Sequence, residues 1–205
     1  MAGNIARATV KLRGTRSLLF SRFGEDSIPL NGPGERTGVA GNDPEEWRRR
    51  LFVTSKGQLY LEPTYLFACI REGARFVPKK GLTNFVSATL MVDDERLMLP
   101  LFMPGPNNPY DVRTAPPPPR DIDAPVYLDV RGVVLKATKS HNVRYRVAAS
   151  PGWELTAHLT WDVSVVNRDL MKSAIIEGGR LSGLGDGRKI GFGRFEVVDY
   201  DVAVA

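Results

Sequence analysis

The chain has 205 residues, of which 42% are hydrophobic and 25% are charged, and its formal net charge is +5. This balance is typical of a soluble globular protein, and the mild basic excess fits a polyanionic partner without identifying one. The single cysteine, Cys69, excludes a disulfide framework, and no apolar run reaches the roughly 18 residues that cross a bilayer. We therefore expect one cytoplasmic domain with no metal, no cofactor and no membrane contact.

The first third of the chain predicts a strand, a long loop and two helices. Residues 7–12 alternate between polar and apolar side chains, as a half-buried strand does. The stretch 24–57 begins with many Gly, Pro, Asn and Ser residues, which predicts a long loop insertion with a short helix at 43–51. Apolar residues recur every three or four positions from 63 to 76, and this spacing predicts the first core helix.

The middle of the chain predicts a hairpin followed by a proline-rich arm. Residues 85–92 and 96–102 have the composition of strands and flank the acidic residues 93–95, which are either solvated or able to hold a metal ion. The segment 104–125 is rich in proline, which prevents regular ladder pairing. We expect an inserted arm that clamps a neighbouring subunit or ligand, or else a passive surface loop.

A basic span follows the arm and lies on two predicted strands, 126–135 and 143–147. Its candidate nucleic-acid contacts are cations and one imidazole with no acid among them: Arg131, Lys136, Lys139, His141, Arg144 and Arg146. Alternate residues of a strand face the same side, so Arg144 and Arg146 are expected to project together. They face either phosphates and bases or only solvent.

The last third predicts a strand, a helix and a final strand. Alternation is regular at 153–161, and a helix is expected at 168–177, with Asn167 as its cap. Gly178 and Gly179 are expected to stop this helix, and the final strand is expected at 192–202.

A glycine-rich loop with several cations joins this helix to the final strand. Glycine reaches positive φ at little cost and lets a phosphate or another backbone come close. The loop is therefore either a nucleic-acid contact or a long turn that needs glycine for geometry alone. Its candidate contacts are Arg180, Gly183, Gly185, Arg188, Lys189, Gly191, Gly193 and Arg194.

The sequence contains little that indicates catalysis. Phosphate-loop, nucleophile-elbow and zinc-protease motifs are absent from it. His141 lies in a basic turn, where it is either a polar residue beside bound phosphate or a general base for RNA cleavage. His158 is expected to be an exposed strand residue. We therefore expect a protein that is not an enzyme.

Without the insertions, the predicted elements follow a βαββαβ order. This order predicts an α+β fold with a ferredoxin-like, RRM-like antiparallel sheet, in one domain over residues 1–205. The long N-terminal loop at 24–57 and the arm at 104–125 are insertions into it. The predicted strand 143–147, which contains Arg144 and Arg146, is expected to lie in the same sheet as the final strand, which follows the glycine-rich loop.

Three segments resemble a known family. Residues 183–197, with the sequence GLGDGRKIGFGRFEV, are similar to the C-terminal glycine-rich loop of the repeat-associated RNA-binding superfamily of CRISPR proteins. Residues 10–19 and 59–63 are similar to its backbone-subunit branch and to related stand-alone proteins of phage and bacterial genomes. The acid Asp186 departs from the loop pattern and is expected to pair with Arg188 or Arg194.

The resemblance implies a ferredoxin-like fold with an inserted thumb and lid. It also implies that copies assemble head-to-tail along single-stranded nucleic acid, which they bind through its phosphate backbone. Our leading hypothesis is a non-catalytic subunit that binds single-stranded nucleic acid, RNA more than DNA. Its implied partners are copies of itself, as a homo-oligomer or filament, and other subunits of a ribonucleoprotein complex. The alternatives are a metal-independent ribonuclease that uses His141 and a self-assembling structural protein without nucleic acid.

Overall fold

The structure, a computed structural model, describes residues 4–22, 43–105, 109–134 and 141–204. In those ranges the protein is a mixed α+β chain with antiparallel sheets, and no helix there is long and apolar enough to span a bilayer. The strands, in chain order, are β1 (Ile5–Gly14), β2 (Leu18–Leu19), β3 (Gln58–Leu61), β4 (Met91–Val92), β5 (Leu97–Phe102), β6 (Val126–Val134), β7 (His141–Ala149), β8 (Glu154–Asp162) and β9 (Phe195–Val204). The helices are α1 (Glu46–Arg49), α2 (Pro63–Gly73), α3 (Leu82–Thr89) and α4 (Arg168–Glu177).

The chain divides into two compact units. The first consists of Met1–Leu18, Tyr60–Pro100 and Pro151–Ala205, and the second of Leu19–Leu59 and Leu101–Ser150. The described parts of both predicted insertions, 43–57 and 104–105 with 109–125, belong to the second unit. That residues 1–205 form one domain stays a prediction.

A four-stranded sheet in the order β4-β8-β1-β9 forms the centre of the first unit. Strand β1 pairs antiparallel with β8 on one side and with β9 on the other. Its alternating sequence places Ala6, Ala8, Val10 and Leu12 on the buried face, as the alternation predicts. In chain order the unit runs β1, α2, α3, β4, β8, α4, β9, so each half of the sheet is connected through helices.

Helices α2 and α4 pack against each other and bring the glycine-rich segment to its place. Helix α4 begins as predicted, because the Asn167 side-chain oxygen accepts the Leu170 N–H at 2.9 Å. It does not stop at the glycine pair, since a π-helical turn continues from Gly178 to Ser182. A Cβ on Gly179 would lie 2.4 Å from the Phe195 carbonyl oxygen. This glycine therefore permits a close backbone approach and does not end the helix.

The predicted hairpin at 85–102 is wrong. Helix α3 occupies most of its first strand, because Leu82 and Val86 lie one helical turn apart and both are buried. Only Met91 and Val92 form a strand, and they pair with β8. The second predicted strand exists as β5, but its partner is β3.

The acidic residues that follow β4 bond to strand β8. The Asp93 carboxylate accepts the Thr160 hydroxyl at 2.6 Å. The Asp94 carboxylate accepts the His158 backbone N–H at 2.7 Å and lies 2.9 Å from His158 Nδ1. His158 itself is exposed, as expected. These carboxylates therefore fix the edge of the sheet.

The second unit is built around a long antiparallel pair, β6 and β7, in a three-stranded sheet of order β2-β7-β6. Both predicted basic strands exist; β6 is described as far as Val134, and β7 extends beyond its predicted range at both ends. The prediction that they share a sheet with the final strand is wrong. The two strands pair with each other along their whole length, whereas β9 pairs with β1.

The described parts of the proline-rich arm, residues 104–105 and 109–125, contain no helix or strand. Its carbonyl oxygens accept hydrogen bonds from the rest of the second unit. The Arg48 guanidinium donates to the carbonyl oxygens of Val112 and Ala115, and the Leu128 N–H donates to that of Pro119 at 2.7 Å. This part of the arm is thus held along its backbone.

Candidate nucleic-acid interface

The glycine-rich loop, residues 183–194, folds back on itself within the first unit. The Leu184 N–H donates to the Gly193 carbonyl at 2.9 Å, and the Gly193 N–H donates to the Ser17 carbonyl at 2.7 Å. Gly193 has a φ of +68°, and a Cβ there would lie 1.8 Å from the Leu184 carbonyl oxygen. Only glycine fits at this crossing of two backbone segments.

Most of the glycines that were predicted to contact nucleic acid are buried within the loop. Gly183, Gly185 and Gly193 are buried, and Gly191 is half-buried. Several loop N–H groups are used internally; those of Ile190 and Phe192 both donate to the Gly187 carbonyl. The glycines therefore shape the loop, and its side chains supply most of the surface that a ligand would meet. Their assignment as direct contacts stays a prediction.

The loop and the end of α2 together line a groove of about 460 Å³, here called the basic groove. Its lining residues combine four cations with one acid and several apolar or small side chains: Ala68, Arg71, Glu72, Phe76, Leu181, Ser182, Arg188, Lys189 and Arg194. Three of the predicted contacts, Arg188, Lys189 and Arg194, thus come together. Arg71 and Phe76 were not predicted, because nothing in the sequence indicates which face of α2 the loop covers.

The cations of the basic groove have no acidic partners among the described residues. In the ranges that the structure describes, Arg71, Arg188, Lys189 and Arg194 form no ion pair. The single acid of the groove, Glu72, pairs with Arg75 at 2.9 Å. The groove therefore has a net positive charge that an anionic ligand can neutralise.

Arg194 is the most enclosed of these cations. Its Nη2 donates to the Arg188 carbonyl at 3.3 Å, while its Nη1 is buried without a hydrogen-bond partner among the described residues. Burial lowers the pKa of Arg194, and the nearby charge of Arg188 lowers it further. The negative charge of a bound anion would offset both effects, so Arg194 is suited to a phosphate oxygen.

Two titratable side chains near the loop, Cys69 and Tyr65, are affected by burial. Burial raises the pKa of the Cys69 thiol to about 12, although Gly183 and Ser182 donate hydrogen bonds to it. The buried thiol is therefore protonated at neutral pH. Burial also raises the pKa of the Tyr65 hydroxyl, and the charges of Glu62 and Asp186 add to this effect.

Asp186 was expected to pair with a loop arginine. Its carboxylate accepts the backbone N–H of Gly187 at 2.7 Å. The acid therefore helps to fix the turn at this point of the loop. Its pairing with Arg188 or Arg194 stays a prediction.

The arginines of the basic span pair with two acids outside the span, Asp129 and Glu46. Arg131 donates to Asp129 at 2.7 Å, and the buried Arg146 lies 3.5 Å from the same carboxylate. Arg144 pairs with Glu46 of helix α1. Their charges are thus largely compensated within the second unit, and their contact with nucleic acid stays a prediction.

None of the other predicted contacts that the structure describes lines the basic groove. Arg180 donates two hydrogen bonds to Glu177, at 2.7 and 3.1 Å. His141 is exposed at the start of β7. Lys136 and Lys139 lie outside the described residues.

The described residues contain no group of three or more His, Cys, Asp or Glu side chains placed to hold a metal ion. The acidic residues 93–95, for which a metal site was one interpretation, use two of their carboxylates on β8 instead.

Comparison with known proteins finds a solved structure with a similar fold but no similar sequence. No protein-family model matches the chain, and no curated protein sequence matches it. The fold is similar to that of a chain in a solved structure, the cryo-EM structure of the Type III-B Cmr-beta bound to cognate target RNA. The TM-score is 0.51 at 13% identity, and the match covers 98% of this chain and 61% of that one. This chain therefore spans less than two thirds of the length of that protein.

Proposed function

We propose that this protein is a non-catalytic subunit that binds single-stranded nucleic acid, RNA in preference to DNA, in the basic groove. The observation that carries the proposal is that one groove is lined by four cations that form no ion pair within the described part of the chain. Arg71, Arg188, Lys189 and Arg194 supply the charge, and a phosphate backbone is the polyanion that such a row of cations fits.

The fold supports the RNA assignment. The strand order β4-β8-β1-β9, with α2 and α4 as the connecting helices, matches a split βαβ arrangement. We therefore propose a ferredoxin-like first unit of the kind found in the repeat-associated RNA-binding superfamily. The solved structure with a similar fold is a complex bound to target RNA. On this basis we also propose that the chain assembles head-to-tail along its strand or with other subunits of a ribonucleoprotein.

An aromatic side chain favours single strands over duplexes. Phe76 lines the basic groove and is 49% exposed, so its ring is accessible to a ligand there. Proteins that bind single strands combine a basic groove with aromatic rings on which unpaired bases stack. The bases of a duplex are already stacked on each other, so they cannot use this ring.

Binding of an unstructured RNA oligonucleotide at two salt concentrations tests the proposal. We expect affinity to fall steeply with salt, because each neutralised phosphate releases counterions. The same RNA should remain intact, and longer oligonucleotides should bind more copies of the protein. Absence of salt-sensitive binding at low salt would rule the proposal out.

Replacing Phe76 with alanine should weaken binding of single-stranded RNA by roughly 5- to 150-fold, the range expected from about 1–3 kcal/mol of base stacking. Phe85→Ala is the matched control, since Phe85 is also exposed, at 42%, but lies on α3 and does not line the groove. Fluorescence anisotropy with labelled RNA measures both. Equal losses for the two variants would contradict a stacking role for Phe76.

A further inference from the structure

A second hollow adjoins the basic groove and shares Arg194 with it. It has a volume of about 490 Å³, within the range of small-ligand sites. Its walls are mostly apolar and include the side chains of Ile176, Phe195 and Val197. Three arginines also line it: Arg16, Arg180 and Arg194. The basic groove, by comparison, is more polar.

The hollow has a rigid frame. The N–H groups of Thr15 and Arg16 both donate to the Arg194 carbonyl, at 2.8 and 3.2 Å. The Arg16 carbonyl accepts the indole N–H of Trp153 at 2.8 Å. Phe195 packs edge-on against Trp153, with ring centroids 6.3 Å apart. The walls are therefore held in place without a ligand.

The combination of apolar walls and cations selects the kind of occupant. Arg16 and Arg194 form no ion pair in the described part of the chain, and Arg180 is engaged with Glu177. One acid, Glu196, also lines the hollow. An apolar peptide side chain would match the walls but would leave the two unpaired arginines unused. A nucleotide matches both, because its base has apolar faces and its phosphate is an anion.

We propose that this hollow accepts one nucleobase of the strand whose phosphates lie in the basic groove, with Arg194 between the base and the backbone. The inference rests on the proposed function. It assigns a binding site to the base, whereas the basic groove is assigned to the phosphates. Arg194 borders both spaces, so one nucleotide can place its phosphate on one side and its base on the other.

Filling the hollow tests the inference. Ile176 is 41% exposed on α4, so Ile176→Trp should fold and occupy the space without removing a cation. The matched control is Val198→Trp, which adds the same side chain at a 39% exposed position outside both spaces. Each protein is titrated with oligouridylate and with an abasic sugar-phosphate polymer of the same length.

We expect Ile176→Trp to lose about fivefold or more in affinity for oligouridylate. Its affinity for the abasic polymer should stay within about twofold of wild type, because the phosphate contacts are intact. Val198→Trp should bind both polymers as wild type does. Unchanged binding of oligouridylate by Ile176→Trp would overturn the inference. Failure of wild type to bind either polymer would instead overturn the proposed function.

A second measurement needs no variant. Wild-type protein is irradiated with an oligonucleotide containing 4-thiouridine at every position, and the crosslinked peptides are identified by mass spectrometry. Crosslinks to Ile176 or to residues 195–197 are expected, besides any at Phe76. Crosslinks confined to the basic groove would overturn the assignment of the second hollow to a base.

Discussion

The double variant Arg188→Ala with Lys189→Ala should bind single-stranded RNA about 10- to 100-fold more weakly than wild type at low salt. Charge-assisted hydrogen bonds to phosphate are strong, and neither residue is engaged with an acid in the described structure. Loss of two phosphate contacts should also reduce the slope of log K against log salt by about 1.4. Titration of labelled RNA at four salt concentrations measures both quantities.

The control for this prediction is Lys79→Ala with Lys80→Ala. These two lysines are exposed, belong to the same unit and do not line the groove, so the control removes the same net charge elsewhere. It should change the affinity by no more than about twofold to threefold through the general field of the protein. Equal losses in the two double variants would show that net charge, and not the groove, determines binding.

Replacing Asp129 with alanine should destabilise the protein by about 3–5 kcal/mol. The Asp129 side chain is 5% exposed and lies beside Arg146, whose side chain is 7% exposed. Without the carboxylate, the buried Arg146 would lose a counter-ion, and Arg131 would lose a 2.7 Å hydrogen bond. Chemical denaturation, followed by circular dichroism, measures the free energy of unfolding.

Asp123→Ala is the matched control, because Asp123 is exposed and belongs to the same unit. Its effect should be within about 0.5 kcal/mol, as for most surface substitutions. If Asp129→Ala were equally mild, the arginines of the basic span would not depend on this carboxylate, and their availability to a nucleic acid would have to be reconsidered.

Elements with regular local patterns were predictable from the sequence. Strand β8 alternates without interruption, α2 has apolar residues at helical spacing, and α4 has its Asn167 cap, so each was predicted close to its observed bounds. Helix α3 was missed because it is only eight residues long and has no side-chain cap. Its apolar residues fit a buried strand as well as a helix.

The site was only partly predictable, because one of the compensating acids is far away in sequence. The span 131–146 contains no acid, so its arginines appeared available. Glu46, the partner of Arg144, is 98 positions away from it, whereas Asp129 lies two positions before Arg131 on the same strand and was overlooked. Arg71 and Phe76 were missed for the converse reason: they join the groove only through the packing of the loop against α2.

Hydrogen exchange with and without an unstructured RNA tests the central claim most directly, because it locates the bound strand on the native protein. Amide exchange is followed by mass spectrometry at saturating RNA and low salt. We expect slower exchange in peptides that cover residues 71–76 and 187–194, and unchanged exchange in β6 and β7. Slower exchange confined to β6 and β7 would contradict the account and assign the strand to the basic span.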